Sequence, residues 1–161
     1  MKQQWFENLA LEELVNTDGI KIHQGGYQTV DEELPAFKHK EGDAGYDMYA
    51  TKTTWIFPFI PRKIPVNLKV ELPQGHFGFL TGRSGESSRG NVVLSGIIDY
   101  NYRGQISALM YRVGILPRRI EKGTRVAQML VIPYRDVAWE EKQSLSGTDR
   151  GEAGFGASGR K

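Results

Sequence analysis

The sequence predicts an all-β domain, a sandwich or a barrel, with a short helix before it and a glycine-rich tail after it. From Ile20 onward, short apolar runs are interrupted by Gly and Pro at intervals too short for long helices. In residues 66–72, aliphatic and polar residues alternate, which is typical of a strand with one buried and one solvent-exposed face. Further strands are predicted at residues 77–80, 106–111 and 125–132.

The short helix is predicted at residues 5–15. Trp5, Leu9 and Leu14 lie at helical spacing there, with glutamates between them. The segment Asn-Thr-Asp-Gly at 16–19 ends this pattern. We therefore expect a helical extension at 1–18, a β domain at 19–145 and a tail at 146–161.

The composition limits the possible functions. A chain of 161 residues, of which 39% are apolar, fits one globular domain. The absence of Cys excludes disulfides, thiolate-bound metals and a Cys nucleophile. The net charge of +2 is compatible with a small anionic ligand but not with a nucleic-acid partner. We found neither a membrane-spanning run nor a secretory signal, so a cytoplasmic protein with no membrane partner is expected.

Two loops carry candidate chemistry. Residues 82–90 contain two Arg and three Ser among glycines, which could cradle phosphates, although an ordinary polar surface loop is the alternative and the loop is not a Walker motif. Asp99 follows an apolar pair in a predicted β-hairpin, residues 96–104. Its carboxylate could orient or deprotonate water, or could simply cap its own turn.

The tail contains one Arg and one Phe among closely spaced glycines, so it cannot build a core. Arg150 could bind phosphate oxygens and Phe155 could cover a base, the alternative being a frayed terminus. His23, His39 and His76 lack metal-ligand spacing.

Read in order, five segments resemble the five motifs of the homotrimeric dUTPase family. They are Ala-Gly-Tyr-Asp at 44–47, Gly-Arg-Ser-Gly at 82–85, Gly-Ile-Ile-Asp at 96–99 with Tyr-Arg-Gly at 102–104, Arg-Val-Ala-Gln-Met at 125–129, and the tail at 150–159. The resemblance covers the chain from about Ile20 to its end. It implies a distorted jelly-roll barrel, also called a β-clip, and Mg²⁺-dependent hydrolysis of dUTP to dUMP and pyrophosphate. It also implies that the protein is a homotrimer in which three subunits assemble each active site.

By this resemblance, Asp99 holds and activates the attacking water, and Tyr102 packs beneath the deoxyribose and disfavours UTP. Main-chain groups of a hairpin around Val93, Ile97 and Ile98 read the uracil edge, and Ser107 closes the far side.

The resemblance also assigns the phosphate contacts. Arg83, Ser84, Gly85 and Gln128 meet the phosphates, and Asp47 supports them. Mg²⁺ is held by the triphosphate oxygens and water, with no protein ligand.

In the tail, the resemblance implies that Phe155 covers the uracil beside Gly156. Arg150 and Ser158 clasp the γ-phosphate. The tail would then be a lid that orders over bound substrate.

The chain departs from the family pattern at three positions. Gly82 stands where Pro is usual, Glu86 where an aliphatic residue is common, and Ala157 where a hydroxyl or His is frequent. Because a carboxylate beside phosphates would be repulsive, we expect the Glu86 side chain to point away from the substrate.

Two other functions are open. The related dCTP deaminases need a Glu on the strand after the Asp99 motif, where this chain has Leu109, and no acidic residue precedes Glu121. A nucleotide-sensing regulatory role is the second alternative. The segment 5–15 could then contact a protein partner, although packing on its own trimer is the simpler interpretation. If the chain belongs to a mobile element, its location would be the host cytoplasm.

Overall fold

The fold consists of twelve short strands and one helical turn in a computed structural model that describes residues 23–94 and 96–152. The strands are β1 Gly26–Gln28, β2 Phe37–Lys38, β3 Tyr46–Tyr49, β4 Thr54–Ile56, β5 Arg62–Pro65, β6 Lys69–Glu71, β7 His76–Gly82, β8 Asn91–Leu94, β9 Gly96–Ile98, β10 Ser107–Arg112, β11 Arg118–Ile120 and β12 Arg125–Pro133. The helical turn is α1, Ser84–Ser87. The all-β prediction is confirmed. The predicted helix at 5–15 lies outside the described residues.

The largest sheet has five strands in the order β2-β3-β12-β7-β9. The longest strand, β12, lies in its centre and pairs antiparallel with β3 on one side and with β7 on the other. Its first residues therefore lie beside the end of β7, where the chain enters α1. This pairing brings three of the segments singled out in the sequence to one corner of the sheet.

A second sheet has the order β5-β10-β8, and two further pairs, β1-β6 and β11-β4, complete the described strands. Strand β8 lies on the edge of the sheet that contains β10, whereas β9 lies on the edge of the sheet that contains β7. In the hairpin predicted at 96–104, only β9 is a strand. The hairpin predicted around residues 93–98 is wrong as a strand pairing, since β8 and β9 do not pair with each other. Each of its strands finds a longer partner strand, and the chain crosses between the two sheets at this place.

The core is formed by aliphatic and Met side chains from the two larger sheets and from the β1-β6 and β11-β4 pairs. Its most completely buried large members are Met48, Ile56, Ile64, Leu68, Ile106, Met110, Ile120, Val66 and Val126. Burial of this apolar surface is the main stabilising contribution, at roughly 25 cal/mol per Å².

The predicted strand at residues 66–72 forms only over residues 69–71, as β6, and Asn67 lies in a bend before it. Asn67 is also the exception to the predicted alternation. It was expected on the solvent-exposed face, but it is fully buried. Its Oδ1 accepts hydrogen bonds from the amides of Val30 and Asp31, at 2.9 and 2.6 Å. Its Nδ2 donates to the carbonyls of Asp31, Leu34 and Pro35. The side-chain amide of Asn67 thus supplies the hydrogen bonds that a neighbouring strand would otherwise give to residues 30–35. Buried backbone groups need such bonds.

Candidate functional site

Four polar side chains, from β3, β12 and the junction between β7 and α1, form what we call the arginine cluster: Asp47, Arg83, Arg125 and Gln128. Asp47 lies on β3, and Gln128, on β12, is its partner across the sheet. Asp47 Oδ1 accepts a bond from Arg83 Nε at 2.7 Å, and Oδ2 accepts one from Arg125 Nη1 at 2.9 Å. One carboxylate therefore orients two guanidinium groups.

Main-chain contacts fix the cluster further. Arg83 Nη1 donates to the carbonyl of Arg125 at 3.0 Å, and Gln128 Nε2 donates to the carbonyl of Gly82 at 2.9 Å. These contacts use only two of the nitrogens of Arg83, and a guanidinium carries five N–H donors. The side chain of Arg83 is 22% exposed. Donors therefore remain available to an anion at a group whose orientation is already set.

Gly45 lies against the same cluster. A Cβ placed on Gly45 would lie 2.6 Å from Gln128 Oε1. Only glycine leaves room for the Gln128 side chain in its present position. The Ala-Gly-Tyr-Asp segment thus contributes two features: the glycine against which the Gln128 side chain packs, and the carboxylate of Asp47.

The predicted phosphate-contacting residues Ser84 and Gly85 open α1 directly after Arg83. Both residues are exposed. Glu86, the next residue, is 4% exposed, and its carboxylate accepts a bond from Asn91 Nδ2. The Glu86 side chain therefore faces the protein interior, and its expected orientation away from the substrate stays a prediction.

A second group of predicted residues lines one cavity of about 300 Å³, which we call the Asp99 cavity. The structure brings five of the predicted residues together there: Ile97, Ile98, Asp99, Tyr102 and Ser107. Lys63, Gln105, Ile106 and Leu109 complete its lining. This volume lies at the lower end of the range for small-molecule sites. The cavity lining contains a carboxylate, an aromatic ring and apolar side chains.

Asp99 and Tyr102 lie on one tight turn after β9. The amide of Tyr102 donates to the carbonyl of Asp99 at 3.0 Å, and the Tyr102 hydroxyl donates to the carbonyl of Gln105 at 3.2 Å. A Cβ on Gly104 would collide with the Tyr102 hydroxyl and ring. Gly104 is therefore needed for the ring to take this position. Asp99 itself is exposed, and its contact within the turn is made by its main-chain carbonyl rather than by its carboxylate.

Tyr134, directly after β12, lies within electrostatic range of Asp99. Partial burial raises the pKa of the Tyr134 phenol above its ordinary value, and the charges of Asp136, Tyr100 and Asp99 act in the same direction.

Several predicted residues lie elsewhere. Val93 is buried in the core on β8 and does not line the Asp99 cavity. Arg150 lies near the end of the described chain, after an exposed segment. Phe155, Gly156 and Ser158 lie outside the described residues, so the predicted lid is not tested here.

Sequence reasoning missed Arg125 as a site residue. It begins the same strand as Gln128 and shares the carboxylate of Asp47 with Arg83. A signal was present, since Arg125 opens the Arg-Val-Ala-Gln-Met segment, but its contribution depends on the pairing of β12 with β3.

The described residues contain no group of three or more His, Asp or Glu side chains arranged to hold a metal ion. Both oxygens of Asp47 are engaged by arginines, and Asp99 is the carboxylate that lines the Asp99 cavity. This donor set suits an ion bound through ligand phosphates, which is a common arrangement for Mg²⁺. In the same part of the chain, no helix has the length and apolarity needed to cross a membrane.

Comparison with known proteins gives consistent matches. The sequence model of the dUTPase family matches residues 33–159. The deoxyuridine 5'-triphosphate nucleotidohydrolase of Clostridium kluyveri is 37% identical over 129 residues, which cover 78% of this chain and 90% of the relative. A putative enzyme of the same name from Frog virus 3 is 34% identical over 119 residues, or 73% of each chain.

Solved structures share the fold. The dUTPase of Staphylococcus bacteriophage 80alpha with dUpNHpp superimposes with a TM-score of 0.76 at 26% identity, covering 86% of this chain and 99% of that one. It is among the phage dUTPases described as controlling transfer of virulence genes by a proto-oncogenic G protein-like mechanism. A mutant dUTPase from phage phi11 of S. aureus, which coordinates a structural Mg(II) ion, has a TM-score of 0.72 at 21% identity. The match covers 78% of this chain and 100% of that one. At this identity the similarity is evidence for the fold only. The predicted jelly-roll-like β fold is confirmed.

Proposed function

Because the chain belongs to the dUTPase family, we propose that it hydrolyses dUTP to dUMP and pyrophosphate, using the arginine cluster for the phosphates and the Asp99 cavity for the nucleoside. The observation that carries the proposal is the lining of the Asp99 cavity, where one carboxylate and one aromatic ring line a cavity of about 300 Å³. This activity lowers dUTP and supplies dUMP for dTTP synthesis.

Asp99 is the proposed general base. Water attacks the α-phosphorus, a new P–O bond forms, and the bond from the α-phosphorus to the α–β bridging oxygen breaks. The Asp99 carboxylate accepts a proton from the water, and pyrophosphate leaves. Its exposed position at the cavity supports this role, since a general base must reach both water and substrate.

The phosphate chain is proposed to bind at Arg83, Ser84, Gly85 and Gln128. The two arginine contacts of Asp47 support its role as an orienting residue, because both of its oxygens are already engaged. Mg²⁺ bound to the triphosphate oxygens and water would reduce the negative charge at which the water attacks. Phe155, Gly156, Ser158 and Arg150 are proposed to close over the bound nucleotide.

Tyr102 is proposed to select deoxyribose, and main-chain groups of residues 97–98, with Ser107 opposite, to select uracil. Leu109 argues against deamination, because the cavity has an apolar side chain where that reaction needs an acid–base group. Pyrophosphate release should therefore be measured on dUTP, dCTP, dTTP and UTP, with and without Mg²⁺. Turnover of dUTP alone is expected. Comparable consumption of dCTP with ammonia release would overturn the proposal.

The active form is proposed to be a homotrimer with shared sites. Two observations support it. The lining of the Asp99 cavity includes no member of the arginine cluster, although both are assigned to one substrate. After β12, Val137, Trp139 and Leu145 are exposed apolar residues that a neighbouring chain could cover.

Complementation tests the shared site. Arg83→Ala and Asp99→Asn should each be nearly inactive alone. Co-expressed as mixed trimers, they should recover about a quarter of wild-type turnover, because random assembly gives that fraction of sites with both residues intact. Absence of recovery in verified mixed trimers would place Arg83 and Asp99 of each site on the same subunit.

A nucleotide-sensing regulatory role is a second candidate, favoured by the description of the 80alpha relative. Capture experiments with the full chain should then retain a protein partner whose binding changes with dUTP. Binding unaffected by deletion of residues 5–15 would exclude that segment as the contact.

A further inference from the structure

Glu86 is a buried carboxylate in the turn that carries the proposed phosphate contacts. Its side chain is 5% exposed, and burying a carboxylate is costly unless it is paired and hydrogen-bonded. Asn91 Nδ2 donates to Glu86 Oε2 at 2.6 Å, and Arg89 Nη1 donates to Oε1 at 3.2 Å. Both carboxylate oxygens thus have a defined partner.

Asn91 connects this carboxylate to the second sheet. The side chain of Asn91 is fully buried on β8, and its Oδ1 accepts a bond from Arg112 Nη1 at 3.0 Å. Arg112 lies on β10, and it also donates to the carbonyls of Arg89 and Leu116, at 2.7 and 2.6 Å. A continuous chain of hydrogen bonds therefore joins α1 to β10.

The same network holds the backbone next to Ser84. The carbonyl of Gly85 accepts bonds from Arg89 Nη1 at 3.1 Å and from Ser88 Oγ at 3.2 Å. Arg89 thus contacts both the carboxylate of Glu86 and the peptide that precedes it. This fixes the orientation of the turn that presents Ser84 and Gly85.

The adjoining turn allows little adjustment. Gly90 has a φ of 78°, and a Cβ there would collide with the carbonyl of Val113. The amide of Val113 donates to the carbonyl of Gly90 at 2.8 Å. Asn91 therefore enters β8 at a fixed position and can act as an anchor for Glu86.

We infer that Glu86 is a positioning residue, which holds Ser84 and Gly85 in place for the substrate phosphates through its bond to Asn91. An aliphatic side chain at this position would deprive the buried Asn91 amide of its carboxylate acceptor, whereas Glu86 keeps that amide paired. The inference rests on the proposed function, because it assumes that Ser84 and Gly85 contact phosphate.

The test compares Glu86→Leu, Glu86→Gln and Asn91→Ser in the full-length protein. Measurements are KM and kcat for dUTP, inhibition constants for inorganic pyrophosphate and for deoxyuridine, and the thermal midpoint. The control is Glu121→Leu, which removes an exposed glutamate that also pairs with an arginine. Deoxyuridine has no phosphate, so it reports on the Asp99 cavity alone.

Glu86→Leu and Asn91→Ser should raise the KM for dUTP and the inhibition constant of pyrophosphate about tenfold, with deoxyuridine inhibition within about twofold of wild type. Glu86→Gln keeps an acceptor for Asn91 and should stay within about threefold in every constant. If Glu86→Leu does not fold, Asn91→Ser carries the test.

Equal weakening of pyrophosphate and deoxyuridine would overturn the inference, because it would indicate general loss of structure. Unchanged pyrophosphate inhibition in a folded Glu86→Leu variant would overturn it as well. Failure of the proposed function is distinct from both, since the wild-type protein would then show no dUTP turnover.

Discussion

The arginine cluster and the Asp99 cavity differ in how firmly their side chains are held. In the cluster, every member has a bond to another member or to the main chain of a neighbouring strand. In the cavity, Ile97 and Tyr102 are 57% and 43% exposed, and Asp99 is exposed as well. Among the described residues, the first region is held by its own hydrogen bonds, whereas the second presents exposed side chains.

The chemistry of the two ligand ends explains this difference. A charged phosphate chain is bound best by guanidinium groups whose orientation is already fixed, because ordering a free arginine costs conformational entropy. A uracil ring is recognised by enclosure, which the proposed second subunit and the proposed closing tail would supply after the nucleotide has entered. The comparison therefore predicts that changes in the two regions affect different kinetic constants.

The largest effect is expected for Asp99→Asn. Removing the general base should lower kcat by about 10³-fold, because proton transfer by a positioned carboxylate contributes about 10²–10⁴-fold. Asn has nearly the same shape, so the dissociation constant for dUpNHpp should change by less than about threefold. Asp43→Asn, at an exposed turn carboxylate, is the matched control. Turnover above about a tenth of wild type would exclude Asp99 as the base.

Asp47→Ala tests the arginine cluster. Without the carboxylate, two guanidinium groups lose their common partner, and the KM for dUTP should rise about 30-fold while kcat falls less. The measurement is steady-state kinetics together with pyrophosphate inhibition. A lower KM would reverse the interpretation, because it would show that Asp47 competes with phosphate for the arginines.

The family resemblance grouped Asp47, Arg83 and Gln128 at the phosphates, but the local sequence pattern alone could not predict this grouping. Asp47, Arg83 and Gln128 were identified from separate segments, and their convergence depends on β12 lying between β3 and β7. Strand order is a long-range property that local alternation does not encode. The contribution of Arg125 to the cluster was missed for the same reason.

The local sequence pattern also failed to predict the burial of two polar residues whose side chains hydrogen-bond to distant parts of the chain. Asn67 occupies a polar position in the predicted alternation of residues 66–72. It is nevertheless buried, because its side chain forms hydrogen bonds with the main chain of residues 30–35. Glu86 is polar in a polar loop, and its burial depends on Asn91 in another element. In both cases the deciding contact comes from a different part of the chain.

Two glycine substitutions compare the regions directly. Gly104→Ala should displace the rigid ring of Tyr102, raise the KM for dUTP about tenfold and reduce the preference for dUTP over UTP. Gly45→Ala meets the end of the flexible Gln128 side chain, which can move, so a change of about threefold in pyrophosphate inhibition is expected. Steady-state kinetics on dUTP and UTP separates them. If Gly45→Ala changed the dUTP/UTP preference instead, the division into two regions would be wrong.

The smallest effect is expected at an ion pair outside both regions. Lys122 Nζ contacts Asp31 and Glu33, at 2.7 and 2.9 Å, on the surface. The hydrogen bond from Lys122 lowers the pKa of Asp31 below its ordinary value of 3.8. The bonds to Asp31 and Glu33 raise the pKa of Lys122 above its ordinary value of 10.5.

The signs of these shifts define a pH window for the variant Lys122→Met. The lowered pKa of Asp31 means that its stabilisation is present above pH 3.8 and is lost as the pH falls through the folded-state pKa. The raised pKa of Lys122 means that its stabilisation is present below pH 10.5 and is lost as the pH rises through the folded-state pKa. Thermal midpoints of the variant and wild type should therefore differ slightly between these limits and converge outside them, because exposed ion pairs contribute little. Kinetic constants for dUTP should not change, and a rise in KM would mean that this surface is coupled to the arginine cluster.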